Sequence, residues 1–207
     1  MALDFEQQFY SEDIQLIVGC DEAGRGCLMG SVYAGAVILP RDFSCDLIND
    51  SKKLTAKQRE EAFEIIIQNA IAYGIGKCTN KEIDEINILN ASRKAIERAI
   101  ENMNHNFDMV LTDAVKMHGF PKPWEAVIKG DAKALCIAAA SILAKVSRDR
   151  ECEELDKIYP QYGFAKHKGY GTKAHLDAMK KYGVINDIYR ITYAPVRNIN
   201  LEKITLF

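Results

Sequence analysis

The sequence has no long apolar run, no closely spaced cysteine pair and almost no net charge, and each lack closes off a class of protein. The longest apolar run, Leu135–Leu143, is interrupted by Ser141 and falls far short of the roughly 20 residues that span a bilayer. The opening M-A-L-D-F-E-Q-Q-F-Y has no basic region followed by an apolar stretch, so no secretory signal is expected. Cys20, Cys27, Cys45, Cys78, Cys136 and Cys152 form no C-x-x-C pair. They read as reduced core thiols of a cytoplasmic protein. With 27 Lys and Arg against 29 Asp and Glu, the net charge is −2, so any basic face must be local. No G-x-x-x-x-G-K-[ST] is present, which leaves a nucleotide-hydrolysing P-loop without support. Ser141 and Ser147 fall in a long helical pattern, not in the strand–turn–helix setting of an acyl-transfer serine. There is no internal repeat, low-complexity segment or linker.

What is present reads as one domain. A chain of 207 residues can bury roughly 70% of its unfolded surface, so its stability requires neither disulfide nor structural metal. Residues 1–15 read as a short polar lead-in. Strands are expected at about Leu16–Cys20, Val32–Leu39 and Ala70–Gly76, then at Met109–Thr112 and Ala126–Ile128. Arg41–Asn49 reads as a loop. Helices are expected at about Ala56–Asn69 behind a Thr55 cap, at Lys81–Ile86 and at Asn87–Asn102. Two more are expected at Lys133–Ile158, closed by Pro160, and at Lys173–Tyr182, closed by Gly183. Gln161–Thr172 reads as a glycine-rich loop and Ile188–Val196 as a final extended segment. Three early strands followed by strand–helix alternation indicate a mixed α/β sheet.

The organising stretch is Leu16–Ile38, where an apolar run ends in Asp21 and Glu22 and Gly24-Arg25-Gly26 follows at once. Buried carboxylates are costly unless paired or metal-bound. Asp21, Asp113 and Asp131 each follow a short apolar run, so each falls near a strand end. If those strands are neighbours, the carboxylates crowd together and a cation between them relieves the repulsion. An all-oxygen donor set suits Mg²⁺ or Mn²⁺, and two such ions suit phosphodiester hydrolysis. Any single strand-end aspartate also reads as a solvated turn residue. Successive strand residues point to opposite faces. The first strand is therefore expected to stop at about Asp21, with Glu22 already in the turn.

Gly24-Arg25-Gly26 is either a tight turn or a close approach to a ligand. Lys52 and Lys53 are either solvated charges or phosphate contacts. Ala165–Tyr182 is the most basic stretch, and Tyr170 stands in it between Gly169 and Gly171, where a ring can lie against a sugar or base. His167 and His175 fit no usual zinc spacing and read as surface or phosphate-contacting residues.

These blocks, in this order, resemble the ribonuclease HII family. They are G-C-D-E-A-G-R-G at 19–26, D-S-K-K-L-T at 50–55, N-A-S at 90–92, K-G-D-A at 129–132, A-A-A-S-I-L-A-K-V-S-R-D at 138–149, and Y-P-Q-Y-G-F-A-K-H-K-G-Y-G-T-K-x-H at 159–175. The likeness covers about Val18 to Val196. It implies a ribonuclease H-like fold, a mixed central sheet flanked by helices, with residues from about 160 to 207 as a C-terminal, substrate-binding helical extension of one domain. It implies endonucleolytic cleavage of RNA in RNA–DNA hybrids. It also implies incision 5′ to single ribonucleotides in duplex DNA, for their removal during replication and repair, leaving 3′-hydroxyl and 5′-phosphate ends with Mn²⁺ or Mg²⁺ required. By that resemblance Asp21, Glu22, Asp113 and Asp131 are the catalytic, metal-binding carboxylates. Gly24, Arg25 and Gly26 grip the sugar at the junction, Tyr170 stacks on the next deoxyribose, and Lys52 and Lys53 contact phosphate.

The sequence departs from the family pattern in places. Cys27, Met29 and Ser31 stand where Pro, Ala and Pro are usual, and Asp113-Ala114 replaces Asp-Gly. The tail has Tyr189 to Tyr193 in place of H-R-R-S-F, which implies reduced nucleic-acid contact there. A non-catalytic binding module would lack a carboxylate, and none is missing. The related type HIII enzyme carries an extra N-terminal domain, whereas only about 15 residues precede the first strand here. A monomer is expected. The terminal Leu206-Phe207 reads as packing on the domain, with a sliding-clamp contact as the alternative.

Overall fold

Apolar alternation and glycine placement build one five-stranded sheet with a helix layer on each face. In the computed structural model of the protein, residues 3–49 and 53–204 are described. Strands β1 (Ile17–Ala23), β2 (Val32–Ile38), β3 (Ala72–Cys78), β4 (Met109–Asp113) and β5 (Trp124–Val127) lie in the order β3-β2-β1-β4-β5. The β1–β2 and β2–β3 pairs are antiparallel, and β4 and β5 run parallel to β1. The C-terminal ends of β1, β4 and β5 therefore share one edge.

Helix α1 (Asp46–Asn49) and helix α2 (Ala56–Asn69) follow β2. Thr55 caps α2 through a reciprocal pair with Gln58, and Thr79 does the same with Glu82 for α3 (Asn80–Met103). α3 covers one face of the sheet, where Val18, Cys20, Ala34 and Ala36 meet Ala95 and Ala99. α4 (Leu135–Ile158) covers the other. There Gly19 and Gly35 let the helix close on the sheet: a Cβ at Gly19 would lie 2.2 Å from the Cys136 carbonyl carbon, and one at Gly35 2.4 Å from the Ala140 oxygen. The small Ala138–Ala140 run packs into that face. A third layer holds α5 (Phe164–His167), α6 (Lys173–Tyr182) and α7 (Ala194–Ile204). Its core around Tyr162, Phe164 and Met179 also takes in Leu28 and Met29 from the loop after β1.

Several expectations are corrected. The polar lead-in carries a 3₁₀ turn at Phe5–Phe9, which buries Glu6. Its carboxylate accepts from the Leu135 and Cys136 amides at 3.0 and 3.1 Å. The residue before α4 is Ala134, which has no side chain to cap with, so the missing cap comes from far away in sequence. α1 occupies part of the expected Arg41–Asn49 loop, and β3 starts two residues later than expected. Pro160–Tyr162 and α5 occupy much of the expected glycine-rich loop. The two helices expected on either side of residue 87 are present, as the two arms of α3 on either side of a break at Asn87, whose φ is 66°. Finally, Ile188–Val196 is not an extended segment. Only Tyr189 bridges a strand-like partner, Met29, and α7 begins at Ala194.

Candidate active site

The carboxylates stand on the edge where the parallel strands end. On β1, Ile17, Gly19 and Asp21 face α4, and there Asp21 accepts a hydrogen bond from Ser141. Nothing local marks Ser141 for this role, since it lies inside a long alanine-rich helical pattern. Asp21 is 7% exposed, and its other oxygen contact is the Glu22 amide at 2.7 Å. Burial pushes the Asp21 carboxyl well above its ordinary value, and the charges of Glu22 and Asp113 push it further, against the Ser141 bond.

The strand does not stop at Asp21. β1 runs to Ala23, with Glu22 opposite Ala34 and Ala23 opposite Tyr33, because β2 continues the ladder past the carboxylates. Glu22 is thus a regular strand residue, and the pleat sends it to the face opposite Asp21. Burial raises its carboxyl too, while Arg25 opposes the rise through a 3.0 Å contact to Oε1. The remaining oxygen, Oε2, is buried without a hydrogen-bond partner. Asp113 closes β4, and its Oδ1 accepts from the Gly130 amide at 2.8 Å. That bond ties the strand end to the 3₁₀ turn Gly130–Ala132, which carries the half-buried Asp131. Asp131 therefore sits in a turn beyond β5 and not at the strand end itself.

Asp21, Glu22 and Asp113 are thus within electrostatic reach of one another. Among the described residues no three acidic, histidine or cysteine side chains form a ready-made metal cage. The donor set still fits a divalent cation. It is all oxygen, Asp21 and the Glu22 side chain are buried, the charge of Asp113 raises both of their carboxyls, and it includes one orphaned atom.

Beside it lies the Gly24–Gly26 turn. Gly24 has φ 101° and sits 3.0 Å, measured from an added Cβ, from Arg148 Nε, so no side chain fits there. The Arg25 side chain is half exposed. Tyr170 is 48% exposed and its ring lies alongside Gly26. Its hydroxyl shares a hydrogen bond with the Cys27 thiol. The structure therefore brings Tyr170 to the Gly24–Gly26 turn across a long stretch of sequence. Lys53 is exposed just before the α2 cap, and Lys52 lies outside the described residues.

Of the two histidines, His167 is half-buried, with Nε2 2.9 Å from the Tyr162 carbonyl, and His175 is not a surface residue. His175 is fully buried, stacks on His167 with ring centroids 4.0 Å apart, and has its pKa pushed down to about 4 by burial. Its Nδ1 lies 2.9 Å from the Tyr170 carbonyl and its Nε2 2.9 Å from the Tyr189 hydroxyl. In the tail, Tyr189 and Arg190 are both fully buried and so turned away from any ligand.

A profile of the family described as ribonuclease HII matches residues 18–196. The chain is similar to ribonuclease HII of Acetivibrio thermocellus, with 50% identity over 91% of this chain and 73% of the relative. Among solved structures it is similar to ribonuclease H2 from Pyrococcus horikoshii, with TM-score 0.78, 28% identity and coverage of 91% and 98%. A second fold neighbour is the PCNA:RNase HII complex of Archaeoglobus fulgidus, with TM-score 0.71, 24% identity and coverage of 86% and 95%.

Proposed function

This chain belongs to the ribonuclease HII family, endonucleases that hydrolyse RNA in RNA–DNA hybrids, and from that premise we propose that it also incises duplex DNA on the 5′ side of single embedded ribonucleotides. The observation that carries the reading is the pairing of two features on one sheet edge. A buried cluster of like charges, with the orphaned Glu22 Oε2, adjoins a glycine turn flanked by an exposed tyrosine ring.

In this reading Asp21, Glu22, Asp113 and Asp131 are the catalytic carboxylates and would hold Mn²⁺ or Mg²⁺, two ions when substrate is present. When bound, the ions supply Lewis-acid stabilisation and an activated water for phosphodiester hydrolysis, leaving 3′-hydroxyl and 5′-phosphate ends. Ser141 orients Asp21, and the Gly130 amide orients Asp113. The Gly24-Arg25-Gly26 backbone approaches the ribose 2′-hydroxyl, the group that distinguishes RNA. The Tyr170 ring takes the following deoxyribose. Lys52 and Lys53 steer phosphate.

The 207 residues act as one catalytic domain, with the layer from about residue 160 as its substrate-binding extension. The enzyme works as a cytoplasmic monomer, removing ribonucleotides left during DNA replication and repair. Its six free thiols agree with a reducing compartment. Among the described residues no helix is long and apolar enough to cross a membrane. A sliding-clamp contact would use Leu206-Phe207, which lie outside the described residues; the archaeal fold neighbour was solved with PCNA. The deciding experiment is a cleavage assay on duplex DNA containing one ribonucleotide, with Mn²⁺ and Mg²⁺ varied. Incision immediately 5′ to the ribonucleotide is expected. Cleavage of uniform hybrids with none of the single site would overturn the proposal.

A further inference from the structure

Arg190 is 0% exposed, yet its hydrogen-bond partners are three carbonyls and a tyrosine hydroxyl. Nε donates to the Gly30 carbonyl at 3.1 Å, Nη2 to the Ser31 carbonyl at 3.2 Å and Nη1 to the Arg25 carbonyl at 3.0 Å. Tyr193 completes the set: its hydroxyl accepts from Arg190 Nη1 at 3.2 Å and donates to the same Arg25 carbonyl at 2.9 Å. Burying a guanidinium against carbonyls is costly, and an apolar side chain would fill the volume more cheaply. What the guanidinium adds is geometry, because its planar fork fixes three carbonyls of one loop at once.

The preceding residue reaches the other side of the site. A carbonyl can only accept, so His175 Nδ1 must carry the proton it gives to the Tyr170 oxygen. In the neutral ring Nε2 is then the acceptor, and the Tyr189 hydroxyl donates to it. Backbone bonds bring the segments together: Leu28 N to Gly169 O at 2.8 Å, Gly30 N to Ile188 O at 2.9 Å and Arg190 N to Leu28 O at 3.0 Å. Neighbouring side chains of one dipeptide thus hold the Gly24–Gly26 turn and, through His175, the Tyr170 backbone.

We propose that Tyr189, Arg190 and Tyr193 are positioning residues that set the separation between the Arg25 carbonyl and Tyr170, and so set how strictly the enzyme demands a ribose followed by a deoxyribose. This rests on the reading that those two elements flank the junction sugars. A uniform hybrid offers a ribose at every step and tolerates a slack separation. A lone ribonucleotide offers one register only, so its incision is the more sensitive activity.

The test uses Tyr193→Phe, Tyr189→Phe and Arg190→Lys in the full chain. Each hydroxyl deletion removes hydrogen bonds without changing volume. The ratio of kcat/KM on the single-ribonucleotide duplex to that on uniform hybrid is expected to fall about fivefold per deletion, the equivalent of one lost hydrogen bond. Arg190→Lys, which keeps the charge and loses the fork, is expected to lower the ratio further. Melting temperature and the Mn²⁺ dependence of hybrid cleavage are expected to stay near wild type in the two Phe variants. Parallel loss on both substrates together with a lower melting temperature would reduce the trio to packing and overturn the proposal. A second readout needs no substrate: amide hydrogen exchange at residues 24–31 and 169–171 is expected to quicken about fivefold in the Phe variants. Unchanged exchange overturns the positioning role. If exchange quickens while the wild-type enzyme ignores single ribonucleotides, the substrate reading has failed and the role in fixing the loop has not.

Discussion

The end of β1 and the loop that follows it are neighbours in sequence with opposite electrostatic conditions. At the strand end, Asp21 and Glu22 are buried, burial raises both carboxyls, the charge of Glu22 raises Asp21 and that of Asp113 raises both, and Glu22 Oε2 is left without a hydrogen-bond partner. A few residues on, the loop carbonyls of Arg25, Met29, Gly30 and Ser31 are all held by buried guanidiniums, from Arg190 or Arg148, and the Ser31 amide and hydroxyl are held by Glu151. One region is under-satisfied and the other nearly saturated. The difference fits their proposed tasks. Repelling carboxylates store a preference for an incoming cation, whereas a surface that measures a sugar must hold its shape before the sugar arrives.

The contrast can be broken at either end. The largest effect is expected from Asp21→Asn, which abolishes cleavage while making the metal-free protein more stable, by roughly 2–4 °C for each kcal/mol of repulsion relieved. Calorimetry in chelator reads this, and a lower melting temperature would contradict the frustrated-cluster account. The sign follows from the raised carboxyl: its folded value lies above the unfolded 3.8, so its favourable contribution is present at low pH and is lost as pH rises through the folded value. The stabilisation by Asp21→Asn should therefore shrink on acidification. Next comes Ser141→Ala, which frees the carboxylate that the helix orients. The Mn²⁺ concentration for half-maximal activity is expected to rise about 10- to 100-fold, the usual cost of losing an outer-shell partner; an unchanged metal dependence would remove Ser141 from the site.

On the saturated side, His175 is the group that acid should break. Its pKa is lowered from 6.5 to about 4, so its contribution is intact above 6.5 and fades as pH falls toward 4. Urea unfolding of wild type and His175→Gln should give curves whose difference narrows over that window. A constant difference would contradict the buried neutral ring. The smallest effect is expected at Ala114, which has φ 58° directly after Asp113. A left-handed alanine is strained by about 1 kcal/mol, so Ala114→Gly should stabilise by roughly that amount; denaturant melts that show a loss would contradict it.

The sheet, the long helices and the strand-end positions of Asp21 and Asp113 were legible because each rests on local pattern: alternation, caps, and a charge after an apolar run; Asp131 falls in a turn four residues past β5, beyond what that pattern resolves. What was not legible depends on long-range partners. Glu22 looked like a turn residue because nothing in β1 reveals that β2 continues pairing beyond it. His175 looked exposed because its burial is made by Tyr189 and Phe164, distant or non-periodic in sequence. The tail departs from the family pattern at Tyr189 to Tyr193, but nothing local shows that the Arg190 fork is turned inward onto carbonyls. Glu6 gives little local signal, standing beside Gln7 and Gln8 in a polar lead-in, because its target is the uncapped start of α4 more than a hundred residues away.

The near-contact of α4 with Gly19 and Gly35 has a consequence for how the enzyme tolerates change. Main chain rests on main chain there, so the distance from Asp21 to Ser141 is set by a hard stop and not by the sizes of surrounding side chains. The other helix meets the same kind of stop, since a Cβ at Gly74 or Gly76 of β3 would lie 2.1 or 2.2 Å from the Ala99 or Ala95 oxygen of α3. Both faces of the sheet are thus gauged by main chain, so the spacing of all three layers answers to four glycines more than to the volume of the side chains between them.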